Sequence, residues 1–477
     1  MTMAGDLCAP DQSHEAGRWA MINFGGADLG DLRRTRRLVD VAAALMDSPS
    51  MSLPKQLPDW SDLLGAYRLL SNENVKPQAI TQPHTSRIKT QAARHPVVLC
   101  VQDGTQLDFT CRTGIRGLGM TGDSKGRGLR QHTALAVLPD KRLLGILDIA
   151  WHTIERTAQG ETRRQQQARW TIRHVWHEAA GRVGVWPEGS HLVHVGDRES
   201  DLFRFMHEAR NLGHGFVLRA MMDRYVDEAT RHLWQKLEGT LPAGSMTATL
   251  GEQRNKGNRV RRAGREAILT IRVAPITVAP PRNDPRTQDA APLAMYAVYL
   301  LEENPPAGVE AVEWMLVTSL DAMTLEQAKT IIGYYTCRWV IEEWHRCLKE
   351  GCRVEQSQLD DALDIQRLTS VLAIVAVHLL QMRDLAEGAH ASSPEKLHRV
   401  VGPMYRMLVA GLAGTSPESL TPHAFWRTIA KRGGYLGRKH DPRPGWKVLW
   451  RGWNDIVQMV RGAELYQQLL NPADKCV

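Results

Sequence analysis

Two apolar runs that each lead to an aspartate constrain the fold of this 477-residue chain most strongly. The run "VVLCV" (97–101) leads to Asp103, and the run "LVHVG" (192–196) ends directly before Asp197. Short apolar runs rich in valine are typical of buried strands. A carboxylate at the edge of such a strand is costly unless a metal ion or another partner compensates it. The pattern therefore predicts two strands of one sheet, with Asp103 within or just after the first strand and Asp197 at the end of the second.

A third acid, Glu342, stands within "YTCRWVIEEWHRCLKE" (335–350), a segment with helical periodicity. Thr324, followed three residues later by Gln327, is a capping-box pattern that marks the start of a helix. No proline interrupts the chain from there to Lys349, so we expect one continuous helix.

Four polar residues share one face of this predicted helix. At about 100° per residue, Tyr335, Arg338, Glu342 and Lys349 fall within a stripe roughly 60° wide, and the opposite face is apolar. The stripe predicts a carboxylate beside cations that could grip phosphates, with a tyrosine able to hydrogen-bond one. The alternative is a solvated face with ion pairs, for which Glu342 and Arg346 have the favoured order.

The three acids have the chemistry of a site that processes phosphodiesters. Two Mg²⁺ ions about 3.5–4 Å apart activate the attacking oxygen and stabilise the leaving one in such sites. Magnesium prefers oxygen ligands, so Asp103, Asp197 and Glu342 are the candidate catalytic and metal-binding residues. Pattern alone leaves further acids open as members of the site: Asp108, Asp123, Asp148, Glu199 and Asp201.

Composition narrows the classes of partner. A net charge of +8 favours a polyanion such as nucleic acid or anionic lipid. The longest apolar run, "LTSVLAIVAVHLLQM" (368–382), is too short and too polar at its ends for a membrane span, so we expect a buried core helix and no membrane partner. Seven cysteines, an odd number, indicate reduced thiols in a cytoplasm.

Changes in local pattern divide the chain into three predicted domains. Residues 1–85 are helical, 86–390 alternate strands and helices around a mainly β insertion at about 222–320, and 391–477 are helical. This organisation predicts an α/β protein with a mixed sheet. The first domain has a basic amphipathic helix that favours DNA binding, with a solvated basic helix as the alternative. Its arginines are Arg33, Arg34, Arg36 and Arg37.

The segment 335–350 has the spacing Y-(2)-R-(3)-E-(6)-K and resembles the bacterial IS-four-type DDE transposases, most closely their Tn-five branch. Further similar stretches follow in the family's order: "LGDLRRTRRLVDVAA", "GAYRLLSN", "HVGDRESDLF", "NPPAGVEAVEWMLVTS" and "GWKVLWRGW". The resemblance implies a ribonuclease-H-like catalytic core at 86–390. It also implies an N-terminal domain that recognises DNA ends and a C-terminal dimerisation domain.

The same resemblance implies roles for individual residues. Asp103, Asp197 and Glu342 match the metal-binding triad, with two Mg²⁺ ions per active site for which Mn²⁺ can substitute. Trp314 matches the tryptophan on which a flipped base stacks. The other candidate DNA-binding residues are Tyr335, Arg338, Lys349, Arg33, Arg34, Arg36, Arg37, Arg198 and Arg219.

The expected function is cut-and-paste transposition of an insertion sequence. The resemblance implies strand cleavage, hairpin formation and strand transfer by a homodimer that pairs the terminal inverted repeats and then joins them to target DNA. We expect this enzyme in the bacterial cytoplasm, associated with the nucleoid. Two alternatives are a metal-dependent DNA nuclease with the same core and a DNA-binding inhibitor without chemistry.

Overall fold

The computed structural model places helices at both ends of the chain and a large sheet between them. It describes residues 16–121, 126–153, 171, 173–227, 231–254, 260–282, 284, 286–386, 391–438, 441 and 444–470.

Helices that precede the sheet begin where the sequence offers capping side chains. The Asp31 carboxylate accepts the Arg33 N–H at 2.8 Å, and the Asp59 carboxylate accepts the Ser61 N–H at 2.8 Å. The helices of this part are α1 (Ala16–Phe24), α2 (Leu32–Asp47), α3 (Leu53–Gln56), α4 (Trp60–Leu70) and α5 (Pro77–Ala92).

The strands and helices of the middle part alternate along the chain. The strands are β1 (Val97–Asp108), β2 (Gly119–Met120), β3 (Arg127–Val137), β4 (Leu143–His152), β5 (His191–Gly196), β6 (Gly215–Arg219), β7 (Tyr225–Asp227), β8 (Arg231–His232), β9 (Gly244–Leu250), β10 (Gln253–Arg254), β11 (Val260–Arg262), β12 (Arg265–Val278), β13 (Leu293–Leu301) and β14 (Glu313–Thr318). The helices are α6 (His174–Val183), α7 (Phe203–Asn211) and α8 (Leu233–Glu238).

Ten of the described strands form one mixed sheet. Its first half has the order β4–β3–β1–β5–β6, in which β1, β3 and β4 are antiparallel and β5 and β6 run parallel to β1. The strands β14, β13, β12 and β9 continue it with antiparallel pairing, and β2 pairs with one end of β3. The strands predicted within 222–320 are confirmed, and they extend the same sheet.

The helix that follows the sheet is interrupted, so the prediction of one continuous helix through Lys349 is wrong. The capping box of Thr324 and Gln327 is present, and the chain forms α9 (Leu325–Thr336) and then α10 (Trp339–Arg346). Between them, Cys337 is fully buried with its Sγ 3.6 Å from the Pro139 carbonyl oxygen, so packing against the β3–β4 turn overrides helical periodicity. Residues Cys347–Gly351 then form a π-helical turn.

The apolar run at 368–382 lies in the 24-residue helix α11 (Ala362–Leu385), which is a buried core helix as predicted. Among the described helices it alone is long and apolar enough to cross a membrane, yet 83% of its most apolar window is buried inside the protein. Arg367 donates to the Val75 carbonyl at 2.6 Å, and Gln381 donates to the Leu144 carbonyl at 2.9 Å. These contacts join the N-terminal helices and the sheet to one helix.

The C-terminal part is helical, as predicted. Its helices are α12 (Pro394–Val400), α13 (Pro403–Ala413), α14 (Pro422–Arg432) and α15 (Trp446–Leu470). One apolar cluster includes buried side chains from Trp19 in α1 to Val460 in α15, together with residues of the sheet and α11. The three predicted segments of the chain therefore share a continuous core.

Candidate active site at the edge of the sheet

The parallel pairing of β1 with β5 brings two of the predicted acids level with each other. Val101 lies opposite Val195, and Asp103 and Asp197 each follow two residues later along the chain. Asp103 lies within β1, where its neighbour on the other side is Thr133 of β3. Asp197 is the first residue after β5, and its carboxylate accepts the Glu199 N–H at 2.9 Å.

Glu342 reaches the same place from α10, which packs over β1. Nη1 of Arg338 lies 3.0 Å from Oε1 of Glu342 and 3.5 Å from Oδ2 of Asp103. One guanidinium therefore bridges a strand acid and a helix acid that are more than 200 positions apart in the chain. The structure brings all three predicted acids to one side of the sheet.

The protonation of Asp103 reflects this crowding. Burial raises the pKa of Asp103, and the negative charges of Asp197 and Glu342 raise it further, whereas Arg338 lowers it. The net result is a pKa of about 7. The raised pKa means that the charged form of the Asp103 carboxyl group is disfavoured in its site unless more positive charge approaches it.

No three His, Cys, Asp or Glu side chains of the described residues are spaced closely enough to hold a metal ion together in this conformation. The donors that do converge are carboxylates, which are the ligands that Mg²⁺ prefers. The Arg338 guanidinium occupies a position between two of them. The two-metal site of Asp103, Asp197 and Glu342 stays a prediction.

Four of the predicted DNA-binding residues gather beside the acids. The Trp314 and Tyr335 rings are 5.0 Å apart and make an edge-to-face contact. Tyr335 is buried and hydrogen-bonds Arg219, whose Nη2 also donates to the Glu313 carbonyl at 3.0 Å. Burial raises the pKa of Tyr335, and the nearby Arg338 and Arg219 oppose that rise. An aromatic face and two guanidinium groups thus border the carboxylates.

Two further predicted residues lie at the margins of this arrangement. Lys349 is on the π-helical turn, where its Nζ is 3.9 Å from Oε1 of Glu355, so it does not continue the predicted stripe of one helix. Arg198 follows Asp197 and is exposed to solvent.

Two contributors escaped the sequence analysis. Glu355 accepts the Asp108 N–H at 3.0 Å and pairs with Lys349, and only the folded chain brings it to the end of β1. Trp339 is 57% exposed, and the guanidinium carbon of Arg338 lies 5.0 Å from its ring centroid. The only sequence signal for Trp339 was a tryptophan next to an arginine, and the analysis of helical periodicity did not single it out.

The other acids that the pattern left open have different surroundings. Asp148 pairs with Arg182 at 2.9 Å, and the buried Asp201 pairs with Arg224 and accepts the Met221 N–H at 2.8 Å. The remaining described acids of this set are exposed: Asp108 is the last residue of β1, and Glu199 lies on the turn after β5. Asp123 lies outside the described residues. None of the described four shares the Arg338 contact.

Comparison with known proteins finds two family matches, one in the N-terminal part of the chain and one in the C-terminal part. A family model described as Transposase DNA-binding matches residues 16–75. A second, described as Transposase Tn5 dimerisation domain, matches residues 421–470. Together the two matches support a Tn5-type transposase. The resemblance inferred from the sequence is thereby confirmed, and the matches support DNA binding and homodimer formation.

The DNA-binding match of this transposase contains the four arginines predicted on α2. Arg36 is exposed and makes no ion pair with the described residues. The others have partners: Arg33 pairs with Asp31 at 2.9 Å, Arg37 pairs with Asp62 at 2.6 Å, and Arg34 donates to the Leu29 carbonyl at 2.9 Å. The four side chains therefore differ in their freedom to reach a phosphate.

The dimerisation match of this transposase covers both α14 and α15, whose backbones touch. A Cβ atom added to Gly452 would lie 1.8 Å from the Ile429 carbonyl oxygen, and one added to Gly433 would lie 1.8 Å from that of Val448. Glycine at these two positions lets the helices approach more closely than other residues allow.

Proposed function

We propose that this transposase catalyses cut-and-paste DNA transposition of an insertion sequence at the site of Asp103, Asp197 and Glu342. The observation that carries the proposal is the level placement of the two aspartates on adjacent parallel strands, with Glu342 brought to Asp103 through Arg338. Carboxylates that come from rigid elements and crowd until one pKa rises to about 7 are typical of catalytic sites.

The sheet supports a ribonuclease-H-like core for residues 86–390. Three antiparallel strands followed by two strands parallel to the first, in the order β4–β3–β1–β5–β6, place both aspartates near the centre of the sheet. Residues 222–320 interrupt this core with the strands that extend the sheet. We assign 1–85 to recognition of DNA ends and 391–477 to dimerisation, because each contains the corresponding family match.

The donor set fits magnesium. Asp103, Asp197 and Glu342 offer only carboxylate oxygens, and their mutual repulsion is relieved by a divalent cation better than by one guanidinium. These three residues would hold two Mg²⁺ ions, or Mn²⁺ in their place. When bound, the ions would activate the attacking oxygen and stabilise the leaving oxygen.

The surrounding residues would position the DNA. Arg338 would exchange its contact with the acids for a scissile phosphate, Tyr335 and Lys349 would hold neighbouring phosphates, and Trp314 would support an unstacked base. Arg198 and Arg219 would add positive charge beside the same DNA strand. Because cleavage, hairpin formation, hairpin opening and strand transfer are each in-line displacements at phosphorus, one site can serve all four.

Pairing of two DNA ends requires two protein chains. A homodimer would bind both terminal inverted repeats through the N-terminal helices and hold them in one complex before target capture. The reaction would take place in the bacterial cytoplasm on nucleoid DNA.

A strand-transfer assay tests the proposal. A donor plasmid that carries the gene with its native flanking DNA is incubated with the purified protein, a target plasmid and Mg²⁺. We expect excised element and joined products from the parent, and neither from Asp197→Asn, although that variant still binds the donor. The neighbouring Glu199→Gln is the matched control and should retain activity, because Glu199 is exposed on the same turn.

The products separate the proposal from its alternatives. Excision without joining would indicate a metal-dependent nuclease with the same core. Binding without cleavage by the parent would indicate an inhibitor without chemistry. Full activity of Asp197→Asn would show that this acid is not catalytic.

A further inference from the structure

Arg353 has a backbone conformation that residues other than glycine rarely adopt. Its φ is 52° and its ψ is 38°, in the left-handed region. Among the described residues other than glycine, Lys141, with a φ of 71°, alone shares a positive φ. Such a conformation costs on the order of a few-fold to a hundred-fold in folding equilibrium and persists where the surroundings determine it.

The surroundings of Arg353 do determine it. The residue follows the π-helical turn that carries Lys349, where the Cys352 N–H donates to the Cys347 carbonyl at 2.9 Å. After it, Val354 is buried and Glu355 accepts the Asp108 N–H at 3.0 Å. The Arg353 side chain, in contrast, is exposed and has no hydrogen bond or ion pair with the part of the chain that the structure describes. A strained backbone thus presents a cation without a partner.

Arg353 lines a cleft of about 400 Å³. One wall of the cleft runs from Leu45 to Tyr67 and lies within the residues matched to transposase DNA-binding, and the other wall runs from Cys352 to Leu359. Lys55 and Arg353 are the charged residues among those that line it, and no carboxylate faces it. The charge of the cleft therefore suits an anion large enough to fill such a space.

We propose that Lys55 and Arg353 bind a phosphate of the DNA backbone in this cleft. The ligand is DNA because one wall belongs to the DNA-binding match and the other continues directly from the Lys349 turn. The inference deepens the proposed function: it gives the DNA a contact between its recognition helices and the acids of the site. The strain at Arg353 is the cost of aiming this guanidinium into the cleft.

The test compares Arg353→Gly with Lys141→Gly in the full-length protein. Both changes relieve a positive φ, so each should raise the melting temperature, by about 2 °C. Only Arg353→Gly should weaken binding of a fluorescein-labelled random-sequence duplex, on the order of five-fold, and reduce the slope of log K against log salt by about 0.9. Arg353→Lys should restore most of that slope, because it returns the charge.

Binding is measured in EDTA, so its outcome does not depend on catalysis. Unchanged affinity and salt slope in Arg353→Gly would overturn the proposal, even with a raised melting temperature. Saturable binding of inorganic phosphate that Arg353→Gly loses while it binds duplex like the parent would also overturn it, in favour of a free-phosphate site. Weaker duplex binding by Arg353→Gly, with a parent that never cleaves donor DNA, would support this cleft and refute only cut-and-paste transposition. If the glycine variant does not fold, Arg353→Asn replaces it, since asparagine tolerates the left-handed region.

Discussion

Arg338 and Asp103 form an ion pair of 3.5 Å that links the turn before α10 to strand β1. The same Nη1 atom is 3.0 Å from Glu342, and the Arg338 side chain is only 12% exposed. A desolvated guanidinium between two carboxylates compensates their repulsion, which would otherwise separate the helix from the strand. We infer that Arg338 holds the acids together before DNA binds.

Arg338→Gln should therefore lower both stability and DNA affinity. We expect the free energy of unfolding to fall by about 2 kcal/mol, because the change leaves partly buried acids without their cation. The salt dependence of duplex binding should also become flatter. Urea denaturation in EDTA and a salt series of anisotropy titrations measure the two effects.

Arg346→Gln, a substitution in α10, is the control. Arg346 pairs with Glu343 but is 55% exposed, so the variant's loss in free energy of unfolding should stay below about 1 kcal/mol. Equal losses in the two variants would contradict the special role of Arg338.

Asp103→Asn should raise the stability of the metal-free protein while it abolishes cleavage. The amide removes one of three crowded negative charges. Burial raises the pKa of Asp103 most, and the charges of Asp197 and Glu342 raise it further, to about 7. Calorimetry in EDTA should show a higher melting temperature than that of the parent. Added Mg²⁺ should then stabilise the parent more than the variant.

Asp108→Asn provides the control with the opposite sign. A hydrogen bond from Thr110 lowers the pKa of Asp108, so its ionised form is favoured in the folded protein. Its replacement should lower the melting temperature in EDTA. A lower melting temperature for Asp103→Asn as well would argue against repulsion among the three acids.

A chain of hydrogen bonds crosses the sheet through Gln102, the neighbour of Asp103. The amide nitrogen of Gln102 donates to Nδ1 of His194 at 2.8 Å, and Nε2 of His194 then donates to Nδ1 of His214 at 2.9 Å. The amide oxygen of Gln102 accepts from Nε2 of His132 at 3.0 Å. His194 and His214 must each accept at Nδ1, so both are neutral in the folded protein.

This chain of hydrogen bonds predicts that the protein loses stability in acid. Burial lowers the pKa of His214 to about 4, below the ordinary 6.5, so only the unfolded state binds a proton between these values. The contribution of His214 is complete above pH 6.5 and declines as the pH falls toward 4. The parent should therefore lose its stability advantage over His214→Asn across this range, by about 2 kcal/mol, in urea denaturation at a series of pH values. His207→Asn, a half-buried histidine of α7, is the control. A difference in the free energy of unfolding between parent and His214→Asn that stays constant with pH would contradict a neutral His214 in the folded protein.

The arginines of α2 should separate into binding and structural residues. Arg36→Ala should weaken duplex binding without changing the melting temperature, because Arg36 is exposed and makes no ion pair with the described residues. Arg37→Ala should lower the free energy of unfolding by up to about 1 kcal/mol, because it breaks the contact with Asp62. Paired titration and melting experiments on the two variants measure this. Unchanged duplex binding by Arg36→Ala would leave α2 as a merely solvated basic helix.

Local sequence patterns predicted the features that depend on near neighbours. The capping box at Thr324, the buried helix of 368–382 and the strands before Asp103 and Asp197 each follow from periodicity or a short motif. Strand-like runs also predicted the mainly β segment at about 222–320. These patterns reflect burial of one face or one run, and the folded chain preserves that burial.

Contacts between distant segments were beyond the sequence patterns. The helix breaks at Cys337 because that side chain packs against the β3–β4 turn, almost 200 positions earlier. Lys349 leaves the predicted stripe because a π-helical turn rotates it toward Glu355. Periodicity assumes a regular helix, so it places polar residues correctly on a face only until tertiary packing changes the turn.

Two glycines of the C-terminal helix α15 should respond in opposite ways to the same substitution. Gly452→Ala should be strongly destabilising, because its Cβ would lie 1.8 Å from the Ile429 carbonyl oxygen and force α14 and α15 apart. Gly462→Ala should stabilise the protein by up to about 1 kcal/mol, since no neighbouring atom lies within 4 Å of the added Cβ and alanine favours a helix. Melting temperatures give the stabilities, and sedimentation gives the oligomeric state. Because both helices belong to the dimerisation match, Gly452→Ala should also weaken dimer formation, whereas Gly462→Ala should not. Equal melting temperatures for Gly452→Ala and the parent would show that α14 and α15 do not touch at this glycine in solution.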